Sequence, residues 1–145
     1  MECITNWVKE FDIDGLRLDV AYCLDKNFLK RLRQHCDWLK QDFVLIGELL
    51  HGDYAQWVNP EMLHSCTNYE CYKGLYSSFN CMNMFEICHS LKNQFGPENW
   101  CRYRGMHLLC FVDNHDVSRI ASQLTNERHL PLIYGMLFGM PGIPC

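Results

Sequence analysis

The chain has 145 residues, of which 48% are hydrophobic and 21% are charged, and its formal net charge at pH 7 is -4. This composition predicts one globular domain and excludes a disordered chain. The acidic balance, without Lys- or Arg-rich runs, argues against nucleic acid and against a membrane surface as partners. No stretch reaches the roughly 18 apolar residues that a membrane span needs. The polar, acidic start of the sequence is unlike a signal peptide.

In chain order, the residue pattern predicts helices that alternate with short apolar strands. The first half contains a helix that ends near Phe11, a strand at 15–19, an amphipathic helix at 25–41, a strand at 43–48, a loop at 51–57, a turn beginning at Pro60 and a weak strand at 63–68. The second half contains helical stretches over 69–94 that break near Asn80, a turn at 93–98, a strand at 107–112, helices near 117–124 and 127–139, and the opening of a strand at 143–145.

This alternation indicates an α/β fold with helices packed on a parallel sheet. Four or five strands are too few for an eight-stranded barrel, which takes about 250 residues. The chain is therefore expected to be either a small open sheet or a piece of a barrel, and the abrupt end at Cys145 favours a piece.

Ten cysteines are many for this length. A disulfide framework or a zinc site would use them, but no Cys-x-x-Cys pair occurs, and no second pair or spaced histidines accompany Cys66 and Cys71. Four others lie in apolar segments, where a thiol packs as a small hydrophobic group: Cys23, Cys36, Cys88 and Cys110. We therefore expect reduced core cysteines and a cytoplasmic location.

Three apolar runs each lead to a carboxylate, at Asp19, Glu48 and Asp116. Such runs are typical of buried parallel strands, and the C-terminal strand ends are where α/β barrels carry their active sites. We therefore expect these three side chains to meet in one pocket. Converging carboxylates suit acid–base and nucleophilic chemistry at a sugar.

Asp19 follows Arg17 by two residues, which places both on one face of a strand. A guanidinium beside the carboxylate keeps it ionised, as a nucleophile must be. The alternative is a buried ion pair that only fixes the strand end.

Glu48 has apolar neighbours and no cation beside it in the sequence. Partial desolvation would favour the protonated carboxyl, which can donate a proton to a leaving glycosidic oxygen. The alternative is an exposed Glu that caps the start of a helix.

Four polar residues, from Asp113 to Asp116, follow the third apolar run. His115 and Asp116 can hydrogen-bond sugar hydroxyls, while Asp113 and Asn114 could equally form an Asx turn. A His beside an Asp also raises the alternative of a metal site. A guanidinium in the same cluster, that of Arg17, would oppose a divalent cation there.

Three aromatic residues with polar edges, Tyr22, Tyr54 and Trp57, follow the acids along the chain. They are candidates for stacking on the apolar faces of sugar rings. The alternative for them, and our expectation for most other aromatics, is packing in the core.

Taken together, these motifs resemble the α-amylase family, glycoside hydrolase family 13. Residues 15–19, 47–48 and 111–116 are similar to the second, third and fourth signature regions of that family. Residues 139–144 resemble the stretch that leads into its last barrel strand. The four motifs follow the family's order and span nearly the whole chain, whereas the family's first signature region is absent.

The resemblance implies a partial (β/α)8 TIM barrel, roughly strands 4 to 8. Residues 1–145 would be the C-terminal part of a catalytic domain whose first strands and inserted domain are absent. It also implies roles for single residues: Asp19 as nucleophile, Glu48 as general acid/base, Asp116 as transition-state stabiliser, Arg17 as the group that orients the nucleophile, and His115 as a contact to sugar hydroxyls. Asn114, Tyr22 and Trp57 complete the expected substrate-binding set.

The implied function is retaining hydrolysis of α-1,4-glucosidic bonds in maltodextrin- or starch-type glucans, with transglycosylation as a second outcome and with no cofactor or metal. The neopullulanase branch is suggested, although Tyr22 and Cys23 stand where that branch carries an Asn-Glu pair. Two other classes stay open: a non-catalytic amylase-like module for binding or assembly, and a metal-dependent barrel lyase. Half a sheet leaves open edges, so we expect little or no activity from the isolated chain.

Overall fold

The computed structural model describes residues 1–145 as parallel strands and helices in two compact units, Met1–Cys66 and Thr67–Cys145. The first unit contains α1 (Glu2–Phe11), β1 (Gly15–Leu18), α2 (Lys26–Leu39), β2 (Val44–Gly47) and β3 (Ser65–Cys66). The second contains α3 (Tyr69–Cys81), α4 (Phe85–Phe95), β4 (Leu109–Cys110), α5 (Ile120–Gln123), α6 (Leu130–Gly139) and β5 (Ile143–Pro144). None of these helices combines the length and the apolar character that crossing a membrane requires.

The first unit is built on a parallel sheet in the order β1-β2-β3. In its register Leu18 of β1 lies opposite Gly47 of β2, and Ile46 lies opposite Ser65 of β3. The predicted strands at 15–19, 43–48 and 63–68 are therefore present, each shorter than its predicted range. Because the strands are parallel, their C-terminal ends lie at one edge of the sheet.

Helix α2 follows its predicted range closely. The Asp25 side chain accepts a hydrogen bond from the Phe28 N–H at 2.9 Å, which satisfies one of the free donors of the first turn. The buried side chains of the helix recur at helical spacing, at Leu29, Leu32 and Cys36. The apolar stripe therefore lies on the inner face, as its spacing indicates.

The second unit has a sheet of two parallel strands, β4 and β5. The strand predicted at 107–112 is wrong in length, because only Leu109 and Cys110 pair with a strand. The partner β5 is itself two residues long, and its Pro144 has no N–H to give to the ladder. The flanking apolar residues Phe111 and Val112 are buried without belonging to the strand.

Helices α3 and α4 are separated near the predicted break, with Met82 in the left-handed region at φ 51°. They approach closely at Gly74, where a Cβ would lie 3.1 Å from Ile87 Cα. Together with residues from the later elements they enclose one apolar cluster: Cys71, Leu75, Phe79, Ile87, Cys110, Val112, Ile120, Ile133, Leu137 and Met140.

The last two helices differ from their predicted ranges. The helix expected at 117–124 begins only at Ile120, because the Asp113 carboxylate accepts the Ile120 N–H at 2.8 Å and fixes the first turn there. The helix expected at 127–139 is a 3-10 turn at Glu127–His129 followed by α6, which has Pro131 in its first turn.

All ten cysteines are free thiols. Cys36 and Cys110 are buried, as predicted, but the prediction is wrong for Cys23 and Cys88, which are exposed. Cys88 directly follows the buried Ile87, and one step along a helix turns a side chain away from its neighbour's face. Burial raises the pKa of the Cys71 thiol to about 12, so that group stays protonated.

Candidate active site

In the first unit Arg17 contacts two carboxylates. Its Nη1 atom lies against Asp19 Oδ1, and its Nη2 atom is 3.2 Å from Glu48 Oε1. The side chain of Asp19 is 73% exposed, whereas that of Glu48 is 7% exposed. The expected contact between Arg17 and Asp19 is present. The alternative of a buried ion pair is wrong, because the Asp19 side chain is exposed.

The backbone holds Asp19 and Glu48 side by side. The ladder between β1 and β2 continues past both strands, since the Glu48 N–H donates to the Leu18 carbonyl at 2.9 Å. The Ala21 N–H then donates to the Glu48 carbonyl at 3.0 Å. Both acids thus leave the sheet at its C-terminal edge, where barrel enzymes place their reactive groups.

Gly47 is the residue that lets Glu48 occupy this position. A Cβ at Gly47 would lie 2.4 Å from Leu63 Cδ1 and 2.9 Å from Ala21 Cβ. No side chain fits that space without moving one of these segments. The close packing around Gly47 therefore explains why a glycine precedes Glu48 in this fold.

Both oxygens of the buried Glu48 carboxylate receive a hydrogen bond or ion pair. Arg17 Nη2 contacts Oε1, and the Val20 N–H donates to Oε2 at 2.9 Å. These contacts compensate for the loss of water around the carboxylate. The alternative of an exposed Glu48 that caps the start of a helix is therefore wrong. The residues next to Glu48 in the sequence carry no positive charge, so its long-range contact with Arg17 was not predicted.

In the second unit, the polar residues after β4 form their own cluster. His115 Nε2 is 3.2 Å from Asp116 Oδ2, and both side chains are exposed. The Asn114 Oδ1 atom accepts the Asp116 N–H at 2.9 Å, which is an Asx turn, and Asn114 Nδ2 donates to the Tyr69 hydroxyl at 2.9 Å. Asn114 thus shapes the turn that presents His115 and Asp116.

Asp113 has a different environment from Asp116. Its side chain is 12% exposed, and its oxygens accept from Arg119 Nη1 at 2.7 Å and from the Ile120 N–H. Asp113 therefore fixes the start of α5. No three His, Cys, Asp or Glu side chains are grouped so that they could hold a metal ion.

The three aromatic candidates of the first unit lie in different surroundings. Tyr54 is buried, so it packs in the core. The Tyr22 ring lies 5.8 Å from the His51 ring. Trp57 has the Lys26 ammonium 5.0 Å from its ring centre, a cation–π contact that covers one face of the indole.

Two residues of these clusters were not found from the sequence. Val20 has φ 46°, in the left-handed region, and supplies the N–H that contacts Glu48. Tyr69 was not among the three aromatic candidates, yet its hydroxyl accepts a hydrogen bond from Asn114. No local pattern marks a left-handed valine, and no spacing rule links Tyr69 to a loop so far along the chain.

Parallel strands joined by helices, with a guanidinium and two acids after adjacent strands, define an α/β enzyme domain that carries its reactive groups at the strand ends. The family model of the alpha-amylase catalytic domain matches residues 1–145. The chain therefore belongs to the alpha-amylase catalytic-domain family, which confirms the resemblance to a family of glycoside hydrolases. The fold is accordingly part of an α/β barrel.

Individual relatives agree with this assignment. The intracellular maltogenic amylase of Bacillus subtilis (strain 168) is 28% identical over 142 residues, covering 96% of this chain and 24% of the relative. The cyclomaltodextrinase of Thermoanaerobacter pseudethanolicus is 36% identical over 150 residues, covering 99% and 25%. A solved cyclomaltodextrinase structure shares the fold at TM-score 0.85 and 23% identity, covering 99% and 25%. The chain thus spans about a quarter of the length of these proteins.

Proposed function

We propose that this chain is the C-terminal part of a catalytic barrel, roughly strands 4 to 8, in a longer enzyme that hydrolyses α-1,4-glucosidic bonds with retention of configuration. The observation that carries the proposal is the single Arg17 guanidinium in contact with both Asp19 and Glu48. Retaining glycosidases place two carboxyl groups about 5–5.5 Å apart. One guanidinium in contact with both acids supports such an arrangement.

The two acids have environments that suit different roles. Asp19 is exposed and held by a cation, so its carboxylate can attack the anomeric carbon of a bound sugar. Glu48 is buried, and in its protonated form it delivers a proton to the leaving oxygen; afterwards it removes a proton from the attacking water. Attack by water completes hydrolysis, and attack by a sugar hydroxyl gives transglycosylation.

The remaining residues orient the substrate. Arg17 fixes the nucleophile, and Asp116, with its acid exposed beside His115, is proposed to stabilise the positive charge that develops on the sugar. Asn114, His115, Tyr22 and Trp57 are proposed contacts of the glucan. No step of this mechanism uses a metal or a cofactor.

The proposed substrate class is supported by the names of the relatives. Their names include maltogenic amylase and cyclomaltodextrinase, which supports linear and cyclic maltodextrins as substrates of the complete enzyme. The name of the intracellular amylase from Bacillus subtilis supports a cytoplasmic location.

Substitution of Asp19 tests this function directly in the complete enzyme. We expect Asp19→Asn to lower kcat on maltotriose by about 10³-fold or more, since a neutral amide cannot form the glycosyl-enzyme ester. A fluorinated glucosyl fluoride should label the peptide that contains Asp19 in the parent enzyme, and the first product should be the α-anomer by NMR.

A matched control separates loss of chemistry from loss of structure. Asp25→Asn makes the same change at a helix cap where Asn serves equally well, so this variant should keep normal activity. Maltotriose binding without cleavage by the parent protein would favour the non-catalytic alternative. Normal turnover by Asp19→Asn would exclude the proposed nucleophile.

A further inference from the structure

The backbone of Val20 has an unusual conformation. Val20 adopts φ 46° and ψ 43°, the left-handed region that β-branched residues rarely enter. It lies directly after Asp19 and before Ala21, which is completely buried. Backbone strain of this kind is retained where the surroundings require one particular direction of the peptide groups.

The strained conformation coincides with a contact to Glu48. The Val20 N–H donates to Glu48 Oε2 at 2.9 Å, while the next N–H, of Ala21, donates to the Glu48 carbonyl. Arg17 contacts the other carboxylate oxygen, Oε1. Together with the bond from the Glu48 N–H to the Leu18 carbonyl, the segment that carries Asp19 therefore holds Glu48 at four points, two on its carboxylate and two on its backbone.

We infer that Val20 is a positioning residue for Glu48: its backbone N–H, directed by the left-handed turn, fixes the carboxyl plane in the orientation needed for proton transfer. The inference rests on the proposed function, because it gives meaning to the orientation of Glu48. Arg17 alone contacts one oxygen and leaves rotation about the Cγ–Cδ bond open. The second contact, to Oε2, removes that freedom.

Loss of this N–H should impair proton transfer more than nucleophilic attack. A fluoride leaving group departs without protonation, whereas the sugar oxygen of maltotriose needs a general acid. The ratio of kcat/KM for α-maltosyl fluoride to kcat/KM for maltotriose therefore measures the placement of Glu48. A merely structural role of Val20 would lower both values together and leave the ratio unchanged.

The sharpest variant replaces Val20 with 2-hydroxyisovaleric acid in the complete enzyme, which turns the peptide N–H into an ester oxygen. The same replacement at Val44 is a matched control, since the Val44 N–H also makes a 2.9 Å backbone bond, to the Asp14 carbonyl, and does not contact Glu48. We expect the Val20 ester to lose about 10- to 100-fold on maltotriose and less than about threefold on the fluoride. The Val44 ester should show the parent's ratio.

Two further variants keep the test decisive if the Val20 ester folds poorly. Glycolic acid at position 20 also has no N–H and, without a side chain, enters the left-handed region without strain, so it should raise the ratio as the Val20 ester does. Val20→Gly has the same unsubstituted backbone but keeps the N–H, so it should retain the parent's ratio. Equal losses on both substrates in the folded ester enzymes would overturn the inference.

A Glu48→Gln variant distinguishes this inference from the proposed function. It should lose activity on maltotriose far more than on the fluoride, because it lacks the acid altogether. If the parent enzyme has no activity, or Glu48→Gln shows no preference for the fluoride, the proposed function fails. If Glu48→Gln behaves as expected but the Val20 variants do not, only the role of Val20 fails.

Discussion

Asn114 uses both ends of its amide inside the second unit. Its oxygen accepts the Asp116 N–H, and its nitrogen donates to the Tyr69 hydroxyl, each at 2.9 Å. The Tyr69 ring is itself held edge-on against Phe111, with ring centres 5.0 Å apart. The half-buried ring of Tyr69 thus anchors, through one amide, the turn that carries Asp116.

Removal of the Tyr69 hydroxyl should therefore affect catalysis. In the complete enzyme we expect Tyr69→Phe to lower kcat by about five- to tenfold with little change in KM, because the loss of one hydrogen bond of about 1 kcal/mol loosens the Asp116 turn. Tyr72→Phe is the matched control, since the Tyr72 hydroxyl accepts from Gln123 Nε2 at the same 2.9 Å. Steady-state kinetics with equal kcat losses in both variants would contradict this role.

The sequence located Asp19, Glu48 and the Arg17 beside Asp19, but not the contacts that hold Glu48. The runs that end in Asp19 and Glu48, and the Arg17 two residues before Asp19, give local signals that do not depend on distant partners. The Arg17–Glu48 contact arises only when β1 lies beside β2, and the left-handed turn at Val20 makes its contact to Glu48 across the same two segments. Contacts of this kind are set by tertiary structure, so no local pattern predicts them.

Helices and strands show the same difference between local signals and contacts that only the tertiary structure sets. Helix α2 was predicted well because its apolar stripe lies within one stretch of sequence. The extent of β4 depends on how many residues of β5 lie beside it, and apolar run length does not contain that information. Helix α5 starts where a distant acid, Asp113, caps it. The type of each element could thus be predicted from the local sequence, whereas its length depends on contacts with residues elsewhere in the chain.

The link between β2 and β3 contains a histidine that takes the place of a backbone acceptor. The Leu45 N–H donates to His64 Nδ1 at 3.0 Å, while the His64 N–H donates to the Leu45 carbonyl at 2.9 Å. Protonation of Nδ1 would remove the first of these bonds. Partial desolvation of the ring, and secondarily the charge of Arg33, lowers the pKa of His64 below its usual value.

The hydrogen bond from Leu45 to His64 should make the free energy of unfolding depend on pH. The unfolded chain takes up a proton near pH 6.5 while the folded ring resists it, so the stabilisation is complete above about pH 6.5 and is lost as the pH falls through the lower folded pKa. His64→Asn keeps an acceptor oxygen but does not titrate. We expect its Tm to match that of the parent at pH 7 and to exceed it at pH 5.

The control for this prediction is His107→Asn, which makes the same replacement at a histidine outside the link between β2 and β3. Its Tm difference from the parent should stay constant between pH 7 and pH 5. Thermal unfolding of the complete enzyme, followed by circular dichroism at both pH values, measures these differences. Parallel loss of Tm in the parent and in His64→Asn would show that the ring does not couple folding to protonation.

At the scale of the whole molecule, the chain carries several large apolar side chains on its surface. They include Phe11, Trp38, Phe85 and Phe138, each more than 60% exposed. Strand β1 is also at the edge of its sheet, with β2 on one side only. Exposed aromatics and an open strand edge are surfaces that proteins ordinarily cover or pair.

These surfaces, and the match to only about a quarter of its relatives' length, determine how the isolated 145-residue chain should behave. We expect it to associate in size-exclusion chromatography, because open edges and exposed apolar side chains favour contact between copies. We also expect no measurable cleavage of maltotriose, since Asp19 and Glu48 supply reactive groups but a glucan also needs walls that hold its ring in place. The complete enzyme, assayed at the same molar concentration, is the control. A monomeric chain with a normal rate on maltotriose would mean that the two units alone build a working sugar site, and the proposal that the chain is a part of a larger barrel would have to be abandoned.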